Sequence, residues 1–427
     1  MKITNVTQKA FALMLLILCI AFVSNAQITA IRAGKVVDPA TGTVLINQTI
    51  LIEGQNIKEI GTNIKIPAGA GVIDLSKQTV LPGLFDAHTH LCWNMQHKRD
   101  AGDYFVTTLR DTTGFRAIQG VANARSMLEH GFTTVRDIGN AANYADTDLR
   151  RAIEQEIVPG PTIINAGRII APFGGQFQLQ PEKRDLGNPE YLYADTRDEL
   201  KKAIRENIHF GARMIKIVVD DQRYIYSADD IRFVIEETRL AGMKVAAHCW
   251  TEKGARNAAE AGVDSIEHGV ALTNEILEIA KRNNVALVPT PFTETDARLS
   301  GASDGNKDTD RKFFADPVKR AYDVGVTLVF GPDVIFNNKE YPRGRLSIET
   351  IDNWVQAGIP PRTVLQALTT NAAKLLGVEK TRGSLTVGMR ADIIAVSDNP
   401  LDKIETLKKV SFVMKNGKVF KQNSVIK

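Results

Sequence analysis

Cysteine is scarce in this 427-residue chain, which has only Cys19, Cys92 and Cys249. So few thiols cannot build the disulfide framework of a small exported scaffold. An excess of charge of one sign is missing too. Its 53 Lys and Arg residues face 49 Asp and Glu residues, for a formal charge of +4. That balance argues against a nucleic-acid partner, which would select a strongly basic face. No internal repeat of solenoid period and no low-complexity tract is present. Long apolar runs are nearly absent, with one exception from Ala10 to Val23. Lys2 and Lys9 precede that run and Ser24-Asn25-Ala26 follows it, the pattern of a secretory signal segment with Gln27 as the new N-terminus. The run is short for a membrane span. Leu18 and Ile20 flank Cys19 where a lipoprotein site would carry small residues. Residues 1–26 are therefore expected to be a signal peptide. The mature protein is expected to be exported, periplasmic or secreted, with no stable membrane insertion after cleavage.

What remains is long enough for a large core. Residues 27–80 read as short strands with turns, among them Ile28–Gly34, Thr43–Glu53, Asn56–Gly61 and Gly71–Asp74. Residues 384–427 do likewise around Asp392–Val396 and Val410–Met414. Between the flanks, over residues 81–383, strand and helix signals alternate. Eight strands are expected: Gly83–His90, Thr133–Asp137, Thr162–Ala166, Met214–Val219, Lys244–His248, Asp264–His268, Val285–Pro289 and Thr327–Gly331. Amphipathic stretches such as Asp229–Ala241 and Gly254–Ala261 separate them. Eight alternating units predict an α/β fold, a TIM (β/α)8 barrel, with the two flanks pairing into one small β-sandwich. The irregular stretches Arg168–Asp195 and Pro291–Lys312 are expected to shape a pocket at the C-terminal ends of the strands.

Five polar side chains fall at or near the C-terminal ends of those strands or just past them, and a sixth, Lys216, lies mid-strand. His88-Thr89-His90 closes the first strand, and residues two apart in a strand face the same side. His248 and His268 end the fifth and sixth strands, and Asp333 follows the eighth. Imidazole and carboxylate suit zinc and its neighbours. Lys216 is the anomaly, a lysine inside the apolar run Met214–Val219. A buried ammonium is costly, and desolvation favours its neutral form. A neutral amine can add carbon dioxide to give a carbamate, whose two oxygens can bridge two cations. Four of the seven histidines are thereby used. The other three read otherwise: His97 follows the first strand, His130 suits a helix C-cap, and His209 reads as a helix residue. Cys92 and Cys249 each closely follow one of these histidines on distant strands, and read as ordinary buried thiols.

Taken in order, these stretches resemble the amidohydrolase superfamily, in particular its imidazolonepropionase-like or prolidase-like branch of metal-dependent hydrolases. The resemblance also covers Asn371-Ala372-Ala373, Gly383-Ser384-Leu385 and Ala391-Asp392-Ile393. It implies the barrel and the sandwich. It also implies two divalent metal ions, zinc by expectation, bridged by carboxylated Lys216. His88, His90 and Asp333 would hold the more buried ion, and His248 and His268 the other. The implied nucleophile is a hydroxide between the ions, with Asp333 as proton shuttle. Tyr224 is the expected donor to the carbonyl oxygen and Tyr226 its competitor. Gln176 stands where many relatives carry histidine. Arg343 and Arg345 are candidates to clamp a substrate carboxylate.

The expected activity is hydrolysis of a peptide-like amide: a dipeptide, Xaa-Pro included, or an N-acyl amino acid. A small-molecule amide is then the partner, and a homo-oligomer is compatible with the sequence. A deaminase or cyclic-amide hydrolase is the first alternative, against which Lys216 counts. A lactonase or phosphotriesterase is the second. A non-enzymatic binding protein would be marked by a missing ligand, and none is missing.

Overall fold

The computed structural model describes residues 28–100, 103–291 and 307–422. The expected signal peptide, Cys19 and most of the Pro291–Lys312 stretch lie outside the described residues. Among the described residues, no helix is long and apolar enough to cross a membrane.

Four strands open the chain: β1 (Ile28–Val37), β2 (Val44–Glu53), β3 (Asn56–Gly61) and β4 (Gly71–Pro82). Three more close it: β14 (Ile393–Val396), β15 (Phe412–Lys415) and β16 (Lys418–Gln422). All seven form one sheet in the order β16-β15-β14-β4-β1-β2-β3. The flanks meet where β14 runs antiparallel to β4, with Ile394 opposite Leu81. The sheet folds over a shared core that joins Ile31, Ile50 and Leu75 from one flank to Ile393, Phe412 and Met414 from the other. This is the expected sandwich, and β4 leads from it straight into the barrel.

The barrel strands are β5 (Leu84–Thr89), β6 (Phe132–Asp137), β7 (Thr162–Asn165), β10 (Ile215–Val218), β11 (Val245–Cys249), β12 (Ser265–His268) and β13 (Ala286–Val288). They pair in parallel as β5-β6-β7 and β10-β11-β12-β13. Backbone hydrogen bonds join the two sets. Asn165 O accepts from Arg213 N and Met214 N at 2.7 and 3.2 Å. At the other seam, Thr327–Gly331 lies between β13 and β5. Leu287 N donates to Thr327 O at 2.9 Å, and Ala87 N to Phe330 O at 2.8 Å. The eighth position is thus a bridged segment, shorter than the strand expected there. Gly331 allows the close approach: a Cβ at this position would lie 2.8 Å from the His88 backbone nitrogen and 2.6 Å from Val288.

The intervening helices have legible starts. Thr196, Ser227, Thr251 and Thr273 accept backbone N–H groups at the N-termini of helices 197–209, 228–239, 252–261 and 274–282. Each such cap is worth about 1 kcal/mol. His130 caps the C-terminus of helix 113–129, with its ring Nδ1 2.8 Å from Ser126 O. The stretch after β7 is not irregular throughout: it carries β8 (Ile169–Ala171) and β9 (Tyr191–Tyr193), which pair with each other and attach to β10 through Ile170 and Ile217.

Candidate metal centre

A cavity of about 130 Å³ opens at the C-terminal end of the barrel. His88, His90, Lys216, His248, His268 and Asp333 all line it. Five of these six side chains are more than nine-tenths buried, and Asp333 is 16% exposed. The backbone is held in uncommon conformations here. His268 has φ +67°, Asp333 +56° and Thr290 +41°. Left-handed backbone at non-glycine residues costs energy and tends to gather at functional sites.

Hydrogen bonding fixes what two of the imidazoles present. His90 Nδ1 lies 2.7 Å from Gly139 O. A carbonyl only accepts, so Nδ1 carries the proton and Nε2 keeps its lone pair. His88 Nδ1 lies 2.8 Å from Glu267 Oε2, and a carboxylate imposes the same tautomer. The free Nε2 atoms of His88 and His90 then lie 3.7 and 3.3 Å from Asp333 Oδ1. Burial lowers the His88 pKa to about 4, although Asp333 and Glu267 oppose the shift. The ring is therefore neutral near pH 7, the form that binds metal. Burial also pushes His268 well below the ordinary imidazole range, helped by His248 and His88. His268 Nδ1 lies 2.8 Å from Thr290 Oγ1.

The donors fit a cation. Asp333 Oδ1 and His248 Nε2 are buried with no hydrogen-bond partner among the described residues. His248 Nε2 is 2.8 Å from Asp221 Oδ2, close enough for an ion pair but not aligned for a hydrogen bond. His88, His268 and Asp333 offer atoms within 4.8 Å of one another. Asp220, Asp221 and His248 do so as well, but Asp220 is already engaged. Its carboxylate accepts from Trp250 N, Thr251 N and Thr251 Oγ1 at 2.7–3.0 Å. Burial lowers the Lys216 pKa to about 8, against the pull of Glu267 and Asp333. Roughly a tenth of the amine is thus neutral near pH 7, far more than for an ordinary lysine.

Glu267 was not foreseen. It is fully buried, and besides His88 it takes Arg136 Nη2 at 2.7 Å and the hydroxyl of Ser265. Burial raises its pKa, but Arg136 and His88 outweigh that and hold the carboxyl well below the usual range. Glu267→Gln leaves the Arg136 guanidinium buried without its counter-charge. We expect a loss of roughly 3–5 kcal/mol in stability and 10–100-fold in metal affinity. Chemical denaturation and a chelator titration measure the two. Because the folded-state pKa is depressed, the stabilisation is present above the unfolded value of about 4.3 and fades as pH falls through the depressed one. The glutamine variant lacks that acid dependence.

The expected substrate residues are placed less uniformly. Gln176 lines the cavity, with both ends of its amide engaged: Nε2 donates to Asp221 Oδ2 at 2.8 Å and Oε1 accepts from Tyr191 at 2.9 Å. Tyr224 is 49% exposed and does not line the cavity. Tyr226 is buried, its hydroxyl donating to Ala194 O. Neither arginine reaches the cavity. Arg343 is buried and donates to the carbonyls of His90 at 3.2 Å, Trp93 at 2.6 Å and Val334. It pins the His90 loop to the Asp333 loop, which corrects the reading of it as a clamp. Arg345 pairs with Glu349 at 2.7 Å and lies over the Tyr341 ring. Trp93, Tyr104 and Trp250, absent from the sequence reading, supply aromatic walls instead. Cys92 and Cys249 are buried and free.

A parallel barrel with imidazoles, a carboxylate and a lysine around a cavity at its C-terminal end defines a metal-binding barrel hydrolase. The chain belongs to the Amidohydrolase family, whose model matches residues 79–420. It is a hydrolase acting on carbon–nitrogen bonds. Ochratoxinase from Aspergillus niger is 28% identical over 95% of this chain and 89% of its own. Imidazolonepropionase from Fusobacterium nucleatum subsp. nucleatum is 24% identical over 83% of this chain and 86% of its own. Among solved structures, a Xaa-Pro dipeptidase with methionine bound in its active site superposes with a TM-score of 0.81 at 29% identity, covering 92% of this chain and 100% of that one.

Proposed function

We propose that this chain is an exported, binuclear amidohydrolase that cleaves a peptide-like amide, either a dipeptide, Xaa-Pro included, or an N-acyl amino acid. The observation that carries this reading is the buried Lys216 on the same small cavity as four histidines and Asp333. His88, His90 and Asp333 would hold one cation, and His248 and His268 the second. The neutral Lys216 amine can add carbon dioxide, forming an N–C bond and releasing one proton, and the resulting carbamate would offer both cations a shared anionic ligand. Two divalent cations, zinc by the preference of this donor set, would polarise the amide carbonyl and supply deprotonated water at neutral pH.

The chain's own groups do the rest. Asp333 accepts the proton of the attacking water and delivers it to the departing nitrogen. Glu267 and Gly139 O keep the two first-strand imidazoles in the ligand tautomer. Trp93, Tyr104 and Trp250 take up apolar substrate surface and keep bulk water away. Tyr224 has no part in this reading, because it faces solvent outside the cavity. The names of the relatives point the same way, since the Xaa-Pro dipeptidase acts on a dipeptide.

The deciding experiment is a screen of the zinc-loaded protein, with bicarbonate present, against a library of dipeptides and N-acyl amino acids, read by amine release. Hydrolysis of one class is expected. Turnover confined to lactones or phosphotriesters would overturn the amide assignment. For export, the mature protein recovered from periplasm or medium is expected to begin at or near Gln27. N-terminal sequencing that finds an intact Met1 in a membrane fraction would make residues 1–26 an anchor.

A further inference from the structure

A larger cavity lies at the opposite end of the barrel. It measures about 510 Å³, against about 130 Å³ at the metal centre. Thr162 and Ile163 on its wall begin β7, whereas His88, His248 and His268 lie at or near the ends of their strands. The turn between β15 and β16 closes it from the sandwich side through Lys415, Asn416 and Lys418.

Lys415 is the unusual group. It is only 7% exposed, and its Nζ donates to Gly160 O at 2.9 Å. An ammonium carries three donors, and no carboxylate among the described residues forms an ion pair with this one. The other charges on the wall are matched. Arg150 pairs with Glu154 at 2.7 Å, Lys418 with Glu156 at 3.4 Å, and Arg382 with Asp392. The uncompensated cation is therefore Lys415, and it borders open space. Burial lowers its pKa to about 8, with Arg382 adding to the shift and Asp392, Glu154 and Glu156 opposing it. Between these charges the wall carries the apolar side chains Ile153, Val158, Ile163 and Phe420. A pocket that sets apolar side chains beside a buried, unpaired cation has the make-up of a small-molecule site.

We propose that this cavity binds a small carboxylate with an apolar tail. The carboxylate compensates Lys415, and the tail lies against Ile153, Val158, Ile163 and Phe420. The inference stands independently of the hydrolytic reading, because no residue of the metal centre takes part.

Hexanoate is a suitable probe, with hexanamide as its uncharged counterpart. Calorimetric titration of the metal-loaded full-length protein is expected to show saturable binding of hexanoate and none of hexanamide. Lys415→Met should weaken hexanoate binding at least tenfold and leave kcat/KM unchanged. Val158→Asp should do the same, since it sets a carboxylate against the anion at a partly buried position on the cavity wall. It decides the matter if the lysine variant does not fold. Three results would overturn the proposal. One is hexanoate bound equally well by both variants, which would place it elsewhere, for instance at the metal centre. Another is hexanamide binding as tightly as hexanoate. The third is the absence of saturable binding.

Discussion

Asp333→Asn is expected to lower kcat by roughly 10²–10⁴-fold, the usual contribution of general acid–base catalysis, with metal content close to wild type. Asparagine keeps the shape of the side chain and one oxygen toward the His88 and His90 nitrogens, 3.7 and 3.3 Å away in the wild type. It cannot accept a proton. Burial raises the Asp333 pKa, but the His88 and His90 rings outweigh this and hold it below the usual carboxylate range. The basic form therefore persists through neutral pH and is lost only as pH falls through that low value. The wild-type rate should show an acidic limb there, and the asparagine variant should lack it. A variant that retains its metals and works within a few-fold of wild type at every pH would remove Asp333 from the proton path.

Lys216→Ala is expected to reduce bound zinc from two ions per chain to one or none. Activity should fall by more than about 100-fold, beyond the 10–100-fold typical of losing an outer partner of a metal ligand. The side chain is 3% exposed and lines the cavity with all the other candidate ligands. Its replacement takes away a shared anion as well as filling volume. Short carboxylic acids are small enough for the vacated space and should restore part of the activity. Wild-type activity should depend on bicarbonate during metal loading. Elemental analysis of chelator-free wild-type protein that gives one ion or fewer after zinc and bicarbonate would sink the binuclear assignment.

The barrel and the six cavity residues were legible because strand ends in a parallel barrel converge on one mouth, so residue type and order along the chain carry the geometry. Glu267 was not legible, for a specific reason. With His268 turned toward the mouth, strict alternation sends Glu267 to the outside. In the structure His268 leaves the strand at φ +67°. Ser265 and Glu267 therefore share the inner face, joined by their own hydrogen bond. Arg343 was misread because backbone carbonyls have no sequence signature. A guanidinium that serves three carbonyls looks the same in a sequence as one that awaits a substrate. Tyr224 illustrates the opposite limit: position after a strand fixes the loop, but not the side of the loop that a ring faces. The eighth barrel position was read at its right place and as too regular, since it meets β13 through the single bridge of Leu328 with Leu287 and β5 through a backbone hydrogen bond from Ala87 to Phe330.

The Arg343 tie between the His90 and Asp333 loops has a consequence for the order in which the molecule is made. Its bonds to His90 O and Trp93 O span 253 and 250 residues of sequence, and the His88–Glu267 contact spans 179. An emerging polypeptide that ends before residue 343 can thus carry all six donors and still lack the tie that sets the first loop against the last. Contacts of such long separation form late and slowly. Ion capture then registers completion of the whole barrel, and a chain released early should hold its metals no better than an unfolded one.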